Sequence, residues 1–358
     1  MQQSIVSAIV VFYLFVGAAL LMFNLFYMFG MEWKSRMRKR RVCAEQQEQA
    51  TVMENSKKQK EKAYQKRLYQ KLRTAEGLLI FEQALEENQK QMPKDKVVQY
   101  LQNCRAAIYD AAETYRKRSA MERALFAYFV STLPQETIPE YRHLGQQMLI
   151  YLEDATVYCR ENVLKALCSL GNAEALERAL CLFQENDWYH SPKLLADGMI
   201  GFCGDRVALA KRLWNRKWNE NIKTALIQFM SQLPDDLTDL VLPELSSKYQ
   251  EIRFAAIRYF AYHIRQEVAP LLREIVQREE DTAVAAAWTL GKYPGEETKQ
   301  TLVQALRSRN WYVRHNAAVS LIQMPLKKKE IKALCANEDQ YAREMFIYVL
   351  ESREKKKC

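Results

Sequence analysis

Asn310 to Met324 reads NWYVRHNAAVSLIQM. Val313, Ala317, Leu321 and Met324 lie 4, 4 and 3 residues apart, which places them on one face of a helix. The same frame recurs upstream at Thr282 (TAVAAAWTLG), Ile252 (IRFAAIRYFA), Ile222 (IKTALIQFMS), Pro192 (PKLLADGMIG) and Asn162 (NVLKALCSLG), and downstream at Ala342 (AREMFIYVLE). Consecutive starts from Asn162 are 30, 30, 30, 30, 31 and 29 residues apart. A fixed period of this length is the mark of a repeat architecture.

Residues that play no part in setting the frame keep phase with it. Gly171, Gly201 and Gly291 each lie nine residues after their segment's first position, where a glycine relieves crowding or ends a helix. Pro234, Pro294 and Pro325 each lie twelve after, where a missing donor stops the helix. Glu122 opens a more divergent copy, ERALFAYFVS, with Pro134 again twelve beyond it and a forty-residue gap before Asn162. Shorter amphipathic stretches lie between these segments: Ala175 to Phe183, Val207 to Trp214, Leu237 to Leu245, Val268 to Val276 and Thr301 to Ser308. Each repeat therefore reads as a helix pair. One pair cannot bury its apolar face alone, so the pairs must stack into an all-α solenoid of about seven or eight units. Ten Gly and nine Pro in 358 residues agree, because a many-stranded protein needs more turn-formers.

The pattern resembles the HEAT repeats, in the short bacterial variety also called phycobilisome-lyase-like. In that family the second helix opens with an apolar residue and often Arg, continues with small residues and closes on Leu-Gly. Val313-Arg314 with Ala317-Ala318 and Leu321, Ile252-Arg253 with Ala255-Ala256, and Ala286-Ala287 with Leu290-Gly291 match it. The likeness covers about residues 119 to 353. It weakens at Pro192, where Lys193 stands for Arg, and at Ala342, where no small pair follows Arg343.

Ahead of the repeats the chain changes character. From Ile5 to Phe29 the run IVSAIVVFYLFVGAALLMFNLFYMF is apolar except for Ser7 and Asn24, long enough to cross a hydrocarbon core of about 30 Å. A cleaved signal peptide would need a positive n-region, a shorter apolar core and a small-x-small site, and the run has none of them. Lys34, Arg36, Arg38, Lys39, Arg40 and Arg41 follow at once. The positive-inside rule then predicts a single-pass protein of the cell membrane, N-terminus outside and the rest cytoplasmic, with Tyr27 and Trp33 at the headgroup boundary. Residues 33 to 73 hold fourteen Lys and Arg against four acids, without Gly or Pro, and read as a long polar helix. Leu68, Leu72, Ala75 and Leu79 form a short stripe, joined by Leu78, Phe81 and Leu85, that docks on the first helices of the folded domain. The expected divisions are a transmembrane anchor over 1–31, a basic juxtamembrane stalk over 32–92 and the solenoid over 93–358.

The formal charge of +10 belongs to the stalk: residues 74 to 358 carry 39 basic and 38 acidic side chains. It is expected to grip anionic inner-leaflet headgroups through residues 34 to 41. Eight scattered cysteines, Cys43 among them near the membrane, form no Cys-x-x-Cys pair and fit reduced cytosolic thiols. His143, His190, His263 and His315 are too dispersed for a metal centre. No phosphate loop, dinucleotide glycine pattern or nucleophile elbow appears, so no enzyme, cofactor or metal is expected.

The expected function is a membrane-anchored scaffold that presents the second-helix surface to a protein partner, plausibly a membrane-bound complex. Candidate contacts near positions +1, +2 and +5 of successive second helices are Arg253, Arg258, Trp311, Arg314 and Arg343. An Arg at +1 has an alternative role as a structural ladder with an acid of the next repeat. The competing class is nucleic-acid binding in the manner of HEAT-like DNA glycosylases. That reading would draw on KRLWNRKW (Lys211 to Trp218), with Trp188, Trp288, Trp311, Asp187 and Asp281 near second-helix starts. For KRLWNRKW the simpler reading puts Leu213 and Trp214 on the core and the charges in solvent. The basic runs Lys327 to Lys329 and Lys355 to Lys357 read as polar capping of the solenoid end.

Overall fold

A computed structural model describes residues 2–54, 58–278 and 281–355. Among these residues every regular element is helical, giving an all-α solenoid class of fold. The chain divides into two compact units, Met1–Leu170 and Gly171–Cys358.

The first unit holds α1 (Gln2–Glu54), α2 (Lys58–Leu72), α3 (Ala75–Gln91), α4 (Lys94–Arg116), α5 (Ala120–Ser131), α6 (Ile138–Tyr141), α7 (Leu144–Ile150) and α8 (Val157–Ser169). The apolar run and the basic segment lie on one uninterrupted helix, α1. The polar helix expected through residue 73 is in two pieces, since α1 ends at Glu54 and α2 begins at Lys58. Leu68, Leu72, Leu78, Phe81 and Leu85 are buried. Phe81 meets Phe129 edge-on with ring centroids 5.9 Å apart, and Phe126 lies 5.2 Å from Tyr115, so aromatic packing joins α3, α4 and α5. The forty-residue gap before Asn162 is filled by a 3₁₀ turn, α6 and α7; Tyr141 and Tyr151 there donate to the carbonyls of Leu101 and Ala112, both at 2.6 Å.

The second unit holds α9 (Ala173–Glu185), α10 (Pro192–Ile200), α11 (Arg206–Trp214), α12 (Glu220–Met230), α13 (Thr238–Val241) and α14 (Gln250–Tyr262). It continues with α15 (Ala269–Gln277), α16 (Ala283–Leu290), α17 (Glu296–Ala305), α18 (Trp311–Gln323), α19 (Lys328–Cys335) and α20 (Gln340–Lys355). The expected second helices are α10, α12, α14, α16, α18 and α20, and each packs on the next in that order. Side-chain caps set the starts of α12 and α18: Asn219 accepts from the amide of Ile222 at 3.0 Å, and Asn310 from that of Tyr312 at 2.9 Å. Two first helices differ from the sequence pattern. Pro243 ends α13 after one turn and passes the chain to a 3₁₀ segment, Leu242–Ser246, while α17 begins at Glu296, ahead of Thr301.

The repeat phase has a direct structural meaning. Thr289 and Ser320 both occupy +7 and donate to carbonyls at +5 of the preceding second helix, Ile257 at 3.3 Å and Ala287 at 2.8 Å. A Cβ at Gly291, position +9, would stand 2.7 Å from the Ser320 hydroxyl, so the glycine makes room for this stitch. Gly171, also at +9, has φ of +60° and closes the helix before it in a left-handed turn.

Candidate functional site

Three of the candidate arginines share one geometry. Arg253 donates to the carbonyl of Ser247 at 2.9 Å, Arg314 to that of Ser308 at 2.7 Å, and Arg343 to that of Asn337 at 2.7 Å. In each case the acceptor lies six residues earlier, in the loop joining the two helices of the same repeat. These guanidiniums satisfy carbonyls that the preceding turn leaves open. Each of these hydrogen bonds stays within its own repeat. Arg314 also lies over the ring of Tyr341, 5.5 Å from its centroid.

Arg258 and Trp311 are placed differently. Arg258, at +6, is exposed, and Trp311 is 47% exposed while stacked on His315 at 5.1 Å. Positions 0, +4 and +7 of α14, α16, α18 and α20 are buried, whereas +2 and +6 are half-buried or exposed. The +6 row runs Arg258, Trp288, Val319, Tyr348, with Arg258 and Tyr348 exposed and the middle pair half-buried. Its aromatic and apolar side chains with one guanidinium are the composition that anchors protein partners.

The KRLWNRKW cluster is consumed locally. Arg212 and Arg216 both pair with the buried carboxylate of Glu177, the first at 2.5 Å. Lys223 sits 3.6 Å from the Trp214 centroid, and Trp218 donates to the Leu213 carbonyl at 2.6 Å. Leu213 is buried and Trp214 half-buried.

A buried polar network lies in the first unit, within the basic stalk expected over 32–92 and its partner helix α4. Glu45, Gln49 and Met53 fall on one face of α1 and are buried against α3 and α4. Glu45, 3% exposed, accepts from Tyr64 at 3.0 Å and pairs with Lys71; Tyr64 and Tyr100 share a hydrogen bond of 2.5 Å. Lys71 also reaches Glu48 at 3.2 Å, and Arg67 pairs with Glu48. Burial pushes the Glu48 carboxyl up, but Lys71 and Arg67 outweigh it and hold it below its ordinary value. Gln49 donates to the Phe81 carbonyl at 3.2 Å, and Asn88 to that of Gln46 at 3.1 Å.

The six cations that follow the apolar run are all exposed. Arg41 pairs with Glu76 at 2.5 Å, Arg36 with Glu32 at 2.7 Å, and the charge of Arg38 is felt by Glu82. Lys34, Lys39 and Arg40 complete the set along the same helix. From Tyr13 to Phe29 the side chains of α1 are exposed throughout, and α1 is the described helix long and apolar enough to cross a membrane.

Other reactive groups are absorbed by packing. Cys104, Cys159, Cys168 and Cys181 are buried, and burial alone pushes the Cys168 thiol up to about 12. Cys43 is exposed; Cys358 lies outside the described residues, as do Lys356 and Lys357. Among the described residues no group of three His, Cys, Asp or Glu side chains is placed to hold a metal. A cleft of about 490 Å³ between α17 and α19 has Leu321, Leu326 and Leu334 on its floor and Lys299, paired with Glu296 and Glu330, at its mouth.

In comparison with known families, a model of HEAT repeats fits residues 238–322 and 277–351. Residues 238 to 351, from α13 into α20, therefore carry HEAT repeats. No curated protein matches the chain.

Proposed function

We propose that this chain is a single-pass membrane protein whose cytoplasmic HEAT-repeat unit is a docking scaffold for a protein partner belonging to a membrane complex. The observation that carries the reading is α1. One helix bears an apolar stretch exposed from Tyr13 to Phe29, a run of six cations and a stripe buried in the first unit, so an anchor and a folded domain share a single rod. The cations follow the apolar stretch and orient the repeats toward the cytoplasm. Lys34, Arg36, Arg38, Lys39, Arg40 and Arg41 then lie at anionic headgroup level, each contributing about 1 kcal/mol while near the surface.

The partner-binding face in this reading is the open side of the second helices. Arg258 and Trp311 supply exposed contacts, and Arg253, Arg314 and Arg343 hold the loops that frame them. A stacked array gives such a face with little ordering cost on docking. HEAT repeats are in general a protein-interaction scaffold, which keeps the reading to binding and assigns no chemistry.

The test is extraction of the full-length chain in mild detergent and affinity capture, with Arg258→Glu and Trp311→Ala in parallel. A stoichiometric partner that both substitutions release is expected. A chain that purifies alone, or that protease digests only from outside sealed cells, would overturn the scaffold or its orientation.

A further inference from the structure

We propose that the end of the first unit formed by the α4–α5 turn and the start of α8 is a membrane-contact surface, seated on anionic lipid headgroups. The proposal rests on the anchor reading of α1. Its ground is helix direction. Arg41 pairs with Glu76 at the start of α3 while Asn88, near its end, donates to the Gln46 carbonyl, so α3 runs along α1 away from the bilayer, and α2, joined to α3 by the tight turn at Arg73 and Thr74, runs back toward it. Tyr64 meets Tyr100, Gln65 donates to the Asn103 carbonyl, and Arg73 pairs with Asp110, so α4 runs parallel to α2. The C-terminus of α4 therefore points at the membrane.

Rise per residue gives the height. Arg73 and Asp110 lie near the level of Cys43, about 15 Å below Trp33 along α1, and α4 climbs about 9 Å further to Arg116. Lys117 thus stands within about one side-chain length of the Trp33 level. The neighbouring helices deliver apolar groups to the same end. Asn162 donates to the Ala124 carbonyl and Ser169 to the Ser131 carbonyl, so α8 lies parallel to α5 and both begin there. Met121 is 63% exposed, Val157 56% and Tyr158 54%.

The local charges suit that seat. Arg116, Lys117 and Arg118 form the turn; Glu113 is held by Arg116 and Glu122 by Arg118, leaving exposed Lys117 to project. Exposed Glu153 and Asp154 lie at the far edge of the patch, where Arg123 donates to the Glu153 backbone carbonyl at 2.6 Å, so the basic corner is the turn at Lys117. Exposed apolar side chains beside a projecting lysine suit a headgroup layer, where the lysine stem extends along the apolar zone and its ammonium meets phosphate.

The experiment is lysine acetylation footprinting of the full chain in nanodiscs of phosphatidylcholine with and without phosphatidylglycerol. Lys94, at the opposite end of α4 and 88% exposed, is the internal reference. The Lys117 rate relative to Lys94 is expected to fall at least about threefold in the anionic discs. Met121→Asp with Tyr158→Asp, both at exposed positions, is expected to restore it while the helical circular dichroism is unchanged. An unchanged Lys117 ratio with Lys39 protected overturns the proposal and leaves the anchor standing. Lys39 and Lys117 both unprotected overturns the two together.

Discussion

The phenol of Tyr64 donates to the buried carboxylate of Glu45 at 3.0 Å, and Lys71 closes the same carboxylate from the other side. Glu45 belongs to α1 while Tyr64 and Lys71 belong to α2, so this carboxylate ties the helix of the apolar run to the folded unit. Removing one partner of a buried pair costs about 3–5 kcal/mol, and the partial exposure of Lys71 lowers that to about 2 kcal/mol. Lys71→Met should reduce stability by that amount, read as the denaturation midpoint in detergent. Faster amide exchange confined to residues 40–54 should accompany it.

The loop-holding arginines and Arg258 should separate cleanly. Arg314→Gln and Arg343→Gln each remove charge-assisted bonds to carbonyls and should lower stability by about 1–2 kcal/mol. Arg258→Ala, at an exposed position, should stay within about 0.5 kcal/mol of the parent in the same melts. If all three change stability alike, the distinction between framing and contacting arginines is lost.

Gly291 and Ser320 should be energetically coupled. Gly291→Ala drives a Cβ to 2.7 Å from the Ser320 hydroxyl and 3.1 Å from its Cβ, an overpacking that costs about 1–3 kcal/mol. Ser320→Ala removes the nearer of the two atoms. The double variant should therefore be less destabilised than the sum of the singles, by at least about 0.5 kcal/mol in a double-mutant cycle.

His263 should make stability pH-dependent. Its ring stacks on Tyr259 at 4.2 Å, and burial depresses its pKa below 6.5 although the backbone around Met230 and Ser231 partly opposes this. A depressed folded pKa means that the unfolded chain binds more protons in that window. The contribution is present above about pH 6.5 and lost as pH falls through the lower folded value. Urea titrations between pH 7.5 and 5.5 should show a steeper loss for the parent than for His263→Gln.

Much of the second unit was legible because its information is periodic. Apolar spacing placed α10 through α20, and the glycines and prolines in phase with it mark real helix ends. Pro243 cuts α13 short because it lacks the N–H that a continuing helix needs, a break that apolar spacing alone does not register. The Arg253, Arg314 and Arg343 geometry was half visible: their common phase was on the page, but a carbonyl acceptor has no letter in the sequence. Glu45, Gln49 and Asn88 were missed for a sharper reason. A hydrophobic-pattern search treats them as solvent-facing, and only the folded neighbours reveal that their polar groups are mutually satisfied. Met53, eight residues after Glu45, was the one apolar clue to that face. The terminal positions Lys356 and Lys357 lie outside the described residues.

A rod without a joint is a lever. From Trp33 to Glu54 α1 extends about 32 Å, and a tilt of about 10° at the bilayer moves its far end about 5–6 Å. Membrane helices change tilt when hydrocarbon thickness changes, because a stretch longer than the core must lean to stay covered. If α1 spans a bilayer as proposed, the Glu45 lock passes that lean to the first unit without slack, and bilayer thickness becomes a mechanical input to the folded domain.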